Sequence, residues 1–261
     1  MYNFEYVRAA SLKDAEGAGD DAVLMAGGMT LLPTLKQRLA NPDQVIDLGG
    51  IGDLVGIDVS GGTVTIGAMT PHAAVAGDKA IAKAIPALAQ LAGLIGDPAV
   101  RNRGTIGGSI ANNDPAADYP AAVLGLGGTI KTNKREIAAD DFFVGLFETA
   151  LDEGEIVTQV SFPAPSKAGY SKFPNPASRY AVVGVMAAKT KGGARVAVTG
   201  AGPCAFRVPE MESALDGKWS PDSVANISVS AAGLNSDIHA SAEYRAHLVT
   251  VMAKRAVTAA S

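Results

Sequence analysis

Residues 22–49 read AVLMAGGMTLLPTLKQRLANPDQVIDLG. The opening AVLMA is apolar throughout and predicts a buried strand, and QVIDLG at 44–49 predicts a second one. Between them TLLPTLKQRLA predicts a helix. Pro33 falls in its first turn, where a missing N–H costs little, and Asn41-Pro42 is placed to close it. Gly27 and Gly28 sit at the strand-to-helix turn. A helix start leaves backbone N–H groups unpaired, and the absence of Cβ atoms lets an anion approach them, with phosphate the usual occupant. Taken alone, such a turn is more often a plain tight connection.

A second glycine pair occurs in TIGGS, Thr105–Ser109, inside the long polar stretch DPAVRNRGTIGGSIANNDPAADYP, read as a loop. Long loops in compact domains commonly bind something. Two glycine-pair turns can grip a diphosphate from both sides, with Thr30, Thr105, Ser109 and Asn112 as further donors. Asp118 can accept from a ribose hydroxyl, or equally cap the helix that starts at YPAAVLG. Neither turn is a GxGxxG fingerprint at a strand-to-helix junction. GLGGT at 125–129 runs into a strand, and no GxxxxGK[ST] occurs. Ordinary nicotinamide and P-loop nucleotide binding are therefore disfavoured.

Composition narrows the remaining classes. The chain has 261 residues, 48% hydrophobic and 18% charged, which suffices for one large domain or two modest ones. A net charge of −4, without basic clusters, argues against nucleic acid and anionic membranes as partners. Cys204 is the single cysteine, so a disulfide framework is excluded, as is an iron–sulfur cluster held by this chain alone, which takes about four thiolates. His72, His239 and His247 lie far apart, with no HExxH or HxH spacing, and no metal site is expected. The N-terminal MYNFEYVRAASLKDA lacks a basic start followed by an apolar core, and no apolar run reaches the roughly 20 residues a bilayer requires. A cytoplasmic protein is expected.

Three units are expected along the chain: 1–50, 51–161 and 162–261. In the first, SLKDAEGAG predicts a short helix capped by Ser11. In the second, LVGIDVSGGTVTIGAMT predicts two strands around a Ser-Gly-Gly turn. AIAKAIPALAQLAGLIG predicts a helix with Ile81, Ile85, Leu88, Leu91 or Ala92, and Ile95 on one face. A helix at Ala121–Leu126 and a strand at GTIKTN follow. In the third, the proline-rich PAPSKAGYSKFPNPAS reads as a linker or ordered loop. RYAVVGVMAAKT, ARVAVTGAG and NISVSAAG predict strands, and SAEYRAHLVTVMAKRAV a final helix.

Five segments, in order, resemble the FAD-binding (medium) subunits of molybdenum hydroxylases, the carbon monoxide dehydrogenase and xanthine dehydrogenase family. AGGMTLLPTLKQRLANPDQVIDL resembles the first FAD loop, and VRNRGTIGGSIANNDPAADYPAAVLGLG the second. DFFVGLFETALDEGEIVTQVSFP is similar to the segment that closes the FAD domain. YSKFPNPASRYAVVGVMAA and SAEYRAHLVTVMAKRAV resemble the C-terminal domain. The resemblance implies an α+β chain. Its two FAD-binding subdomains would be of the vanillyl-alcohol oxidase and para-cresol methylhydroxylase type, followed by a C-terminal three-stranded antiparallel sheet with helices. It implies non-covalent FAD, its pyrophosphate held mainly by backbone N–H groups of Ala26, Gly27, Gly28, Met29 and Thr30 and of Thr105, Ile106, Gly107, Gly108 and Ser109. Asn112 would add a polar contact and Asp118 would meet the adenosine ribose. Lys172 would lie near the flavin, and Tyr180 would cover its ring system.

Met29 stands where a polar residue is frequent in the family, and Ser109 where Asn or Asp is; backbone contacts survive both changes. His72 admits a covalent histidyl-flavin, against the plainer reading of a helix-start histidine. Arg101 and Arg103 read as loop-bracing ion pairs rather than phosphate ligands. The family's division of labour puts a molybdenum–pterin on a large subunit and [2Fe–2S] clusters on a small one, usually in a dimer of heterotrimers. Electrons then pass through FAD to NAD, a quinone or another acceptor. No catalytic acid or base is expected in this chain. Two rivals are a self-contained FAD oxidase or dehydrogenase, with Tyr180 or Lys172 as its titratable group, and a non-catalytic nucleotide-binding or assembly protein.

Overall fold

The structure is a computed structural model that describes residues 1–260 other than Ala18 and Asp20. Its first unit is a three-stranded parallel sheet, β1 (Glu5–Arg8), β2 (Ala22–Met25) and β3 (Gln44–Asp47), in the order β1-β3-β2. Ser11 caps the helix Leu12–Glu16 in a reciprocal capping box with Asp14, as expected, although Ala18 of that pattern lies outside the described residues. The helix Leu31–Lys36 joins β2 to β3 and stops well short of Asn41-Pro42. Arg38 ends it with a φ of 59°, so a left-handed residue and not the proline sets the boundary. This crossover leaves the first glycine turn at the carboxyl end of β2, where open α/β sheets gather their ligands.

The second unit is a sheet of β4 (Ile57–Ser60), β5 (Thr63–Gly67), β6 (Thr129–Thr132), β7 (Glu136–Ala138) and β10 (Val157–Pro163), ordered β4-β5-β10-β6-β7. A short hairpin of β8 (Phe143–Gly145) and β9 (Glu148–Thr149) interrupts it in sequence. The last strand is the central one: β10 pairs antiparallel with both β5 and β6. Its Val160 and Phe162 are fully buried against Val64, Ile66 and Ile130. The expected helix over 80–96 is two helices, Lys79–Ala84 and Pro86–Gly93, because Pro86 cannot continue the first one. The stretch expected as a long loop is largely helical. Asp97 caps Pro98–Arg103 and Thr105 caps Ile106–Asn112, so local side-chain capping overrides the polar texture.

The third unit is an antiparallel meander of β11 (Lys167–Pro174), β12 (Ala181–Thr190), β13 (Gly193–Thr199) and the two-residue β14 (Phe206–Arg207). It has four strands where three were expected. Half of the proline-rich stretch is β11, paired in register from Lys167 with Lys189 to Lys172 with Gly184. NISVSAAG forms no strand; Ile227 instead packs beside the helix Ala242–Ala259, accepting a hydrogen bond from Thr250 Oγ1. Residues 181–188 of β12 are buried without interruption, since the helix Tyr119–Gly125 covers one face and the helix Ala242–Ala259 the other. Met186 and Ala197 thereby join the core of the second unit. Among the described residues no helix is long and apolar enough to cross a membrane, and no group of His, Cys, Asp or Glu could hold a metal ion.

Candidate cofactor site

The two glycine turns lie against each other. A Cβ on Gly27 would overlap the carbonyl oxygen of Arg103, and one on Gly108 would sit 3.1 Å from the Cβ of Ala26. Gly28 has a φ of +74°, a conformation glycine adopts at little cost. Gly27 is therefore demanded by neighbouring backbone, Gly28 by its own conformation, and Gly108 by the side chains of Thr105 and Ala26. Among the described residues, the N–H groups of Gly27, Gly28, Met29 and Thr30 make no hydrogen bond to the protein. The second turn is different. Ile106 N–H donates to Thr70 O, Gly107 N–H to Ala68 O, Gly108 N–H to Thr105 Oγ1 and Ser109 N–H to Thr105 O. The expected two-sided backbone cradle is thus unequal: the first turn offers four free N–H groups, while the second keeps only that of Thr105, beside side-chain hydroxyls and an amide.

Between the turns opens a cavity of about 600 Å³. Of the residues expected at the site, all but Ile106 and Lys172 line it. Ile106 is fully buried in the second unit's core, so its side chain contributes packing. Lys172 holds its ammonium on Asp118 and on the carbonyl of Leu94, 2.9 Å away, with only 3% of its side chain exposed. Tyr180 is 45% exposed at the end of a turn from the third unit. Asn175 N–H donates to Tyr180 O, and the neighbouring Arg179, at a φ of 64°, donates to Gly96 O. That turn borders the cavity from the far side.

Asp118 stands at the N-cap of the helix Tyr119–Gly125, but its backbone is already helical and its side chain makes no cap bond. Its carboxylate accepts from Tyr170 Oη and from Lys172 Nζ at 3.0 Å. Burial pushes this carboxyl up, while the Lys172 ammonium and the Tyr170 hydroxyl pull it back. Arg101 does brace a loop, as expected, but through the carbonyls of Ile95 and Gly96 rather than an ion pair. Arg103 supplies the carbonyl that Gly27 meets.

Three titratable cavity residues stand outside the expected diphosphate and flavin contacts, and of these only His72 is singled out in the sequence. His72 starts the helix His72–Gly77, is 4% exposed, and leaves Nδ1 without a partner. Burial and the charge of Arg101 lower its imidazole to about 4, so it is neutral near pH 7. Asp114 is raised by burial, with one oxygen accepting from Ala116 N–H. Glu155 is held at about 2 by the Arg135 guanidinium, Thr132 and Asp152 N–H. Nothing local marks Glu155 in the sequence; its partner Arg135 stands in the turn between β6 and β7, 20 residues away.

The cavity lining offers unpaired N–H groups, hydroxyls, apolar walls such as Leu48, Ile95 and Leu151, and the half-exposed ring of Tyr180. That donor set suits an extended cofactor with an anionic middle and flat ends, and pockets of this size hold such ligands. Fold and site together define a flavin-type nucleotide-binding protein with a C-terminal sheet domain. Residues 2–165 match the family described as FAD binding domain in molybdopterin dehydrogenase, and residues 168–260 the CO dehydrogenase flavoprotein C-terminal domain. The chain is similar to the nicotine 6-hydroxylase medium subunit of Paenarthrobacter nicotinovorans, 36% identical over 98% of this chain and 96% of that one. It is 34% identical to the carbon monoxide dehydrogenase medium chain of Hydrogenophaga pseudoflava, with the same coverage. Among solved structures, carbon monoxide dehydrogenase from that organism superposes with a TM-score of 0.88 over 99% of this chain and 97% of that chain, at 34% identity. Quinoline 2-oxidoreductase from Pseudomonas putida 86 gives 0.89 over 98% and 96%, at 31% identity. The chain belongs to the FAD-binding medium subunits of the carbon monoxide dehydrogenase type of molybdenum hydroxylase, a family of oxidoreductase flavoproteins.

Proposed function

We propose that this chain is the electron-transfer subunit of a heterotrimeric molybdenum hydroxylase, working beside a large molybdenum–pterin subunit and a small subunit with [2Fe–2S] clusters. FAD, when bound, supplies the redox chemistry that links those clusters to an external acceptor such as NAD or a quinone. The observation that carries the reading is the cavity between the two glycine turns, in a chain that matches medium subunits over nearly its whole length.

The chain's own residues bind, orient and exclude water. The free N–H groups of Gly27, Gly28, Met29 and Thr30 would hold the diphosphate, with Thr105, Ser109 and Asn112, which line the same cavity, adding polar contacts. Asp118 would accept from a cofactor hydroxyl and Tyr180 would cover the flavin. Residues 1–50 and 51–161 act as the two cofactor subdomains and 162–261 as the C-terminal domain. An acid or base is not required of any of them. His72, neutral and buried, fits a wall better than a general base.

The test is purification from the native cell, with an absorption spectrum and subunit analysis, followed by Gly28 variants. Flavin and iron–sulfur absorbance with two partner chains and molybdenum is the expected outcome. A lone yellow protein reduced by a small molecule would point to a self-contained oxidoreductase. Gly28→Asn, which tolerates a positive φ, is expected to keep FAD. Gly28→Asp puts an anion beside the diphosphate and is expected to lose it; full FAD in a folded Gly28→Asp protein removes this turn from the site.

A further inference from the structure

An ion pair buried between units joins the C-terminal sheet to the cavity wall. Asp118 lines the cavity and is 4% exposed. Both of its side-chain partners come from β11: Tyr170 through its hydroxyl, and Lys172 through an ammonium 3.0 Å from each carboxylate oxygen. Tyr170 and Lys172 are two apart on the strand and so project from the same face. Lys172 also donates to Leu94 O, next to the cavity residues Ile95 and Gly96.

The sequence makes specific room for this arrangement. Gly184 lies in the middle of β12, directly across from Lys172. A Cβ there would collide with the Tyr170 hydroxyl. Glycine weakens a strand interior, and such a position marks a close approach. A buried pair serving stability alone is commonly matched by apolar residues of similar volume. Here the carboxylate stands at the wall of a cavity, and its partners both come from a different domain.

A carboxylate has about four acceptor positions and no donor. Tyr170 occupies one position on Oδ1 and Lys172 one on Oδ2, which leaves acceptor capacity on the carboxylate. That vacancy suits a hydroxyl and repels phosphate oxygens. We infer that Lys172 and Tyr170 are positioning residues that fix the Asp118 carboxylate as the acceptor for a hydroxyl of bound FAD, so that β11 sets cofactor affinity without touching the cofactor. This rests on the FAD reading above, and it replaces a direct contact between Lys172 and the flavin by an indirect one.

The test strips FAD from the purified protein and titrates it back into wild type, Lys172→Met, Tyr170→Phe, Asp118→Asn and the double variant K172M/D118N. Flavin fluorescence reports affinity, and thermal unfolding of the apoprotein reports stability. Asp118→Asn and Lys172→Met are each expected to weaken FAD binding about tenfold or more, as loss of a charge-assisted hydrogen bond does. Tyr170→Phe should follow with a smaller loss. The double variant should bind no more weakly than Asp118→Asn, because Lys172 acts through Asp118. Multiplying losses would instead make Lys172 a direct ligand and overturn the inference. So would a Lys172→Met protein that melts earlier yet keeps wild-type affinity. If Lys172→Met does not fold, the double variant, which holds no unpaired buried charge, decides: wild-type affinity in it overturns the inference. A wild-type protein that takes up no FAD defeats the underlying reading instead.

Discussion

Gly27 lies against the carbonyl of Arg103, with no space between them for a side chain. The contact locks the first glycine turn onto the end of the helix Pro98–Arg103, so one cavity wall holds the other in place. Gly27→Ala must push backbone from backbone. Overpacking of this kind costs about 1–3 kcal/mol. The expected outcome is a lower urea midpoint together with weakened FAD retention, measured on the same preparation. Wild-type values for both would mean the turns do not depend on each other.

Glu155 and Arg135 give the fold an acid-sensitive joint. The carboxyl falls from 4.5 to about 2 in the native state, chiefly through its hydrogen bonds from Arg135. Below 4.5 the unfolded chain takes up a proton that the native chain refuses. The stabilisation is whole above that pH and drains away as pH falls towards 2. Urea unfolding of Glu155→Gln between pH 5 and 2.5 should show a flatter pH dependence than wild type, with lower stability at neutral pH.

His72 acts in a neighbouring window. Its native value of about 4 lies below the ordinary 6.5, because burial penalises the imidazolium. Between these values the unfolded chain is protonated and the native one is not, so stability is lost as pH drops from 6.5 to 4 and levels off below. His72→Gln should remove that slope. An NMR titration of the His72 ring should find its midpoint near 4; a midpoint near 6.5 would contradict the buried placement.

Arg245 is the internal strut of the C-terminal domain. It sits on the helix Ala242–Ala259, buried, and donates to Val182 O, Gly200 O and Asp237 Oδ2. Arg245→Met leaves two carbonyls without this donor and is expected to cost roughly 3 kcal/mol. Chemical denaturation followed through Trp219, which packs on the same core, is the suitable measurement.

Much of this was legible in the sequence alone. The apolar runs at 22–26 and 44–49, the Ser11 cap, the hairpin around Ser-Gly-Gly and both glycine pairs depend on residues close together in the chain. Backbone geometry and capping act at that range, so pattern suffices. The ordered resemblance of five segments then named the family.

What only the tertiary structure decided involves residues far apart. Gly27 answers to Arg103, and Gly184 to Tyr170, contacts with no local signature. Asp118 looked like either a cap or a ribose ligand until Tyr170 and Lys172, 52 and 54 residues away, were seen to hold it. The proline-rich stretch became a strand because pairing with β12 and burial of Tyr170 outweighed its weak local propensity. Such outcomes turn on which surfaces exclude water together and how closely two backbones approach, and those are fixed only when the whole chain has packed.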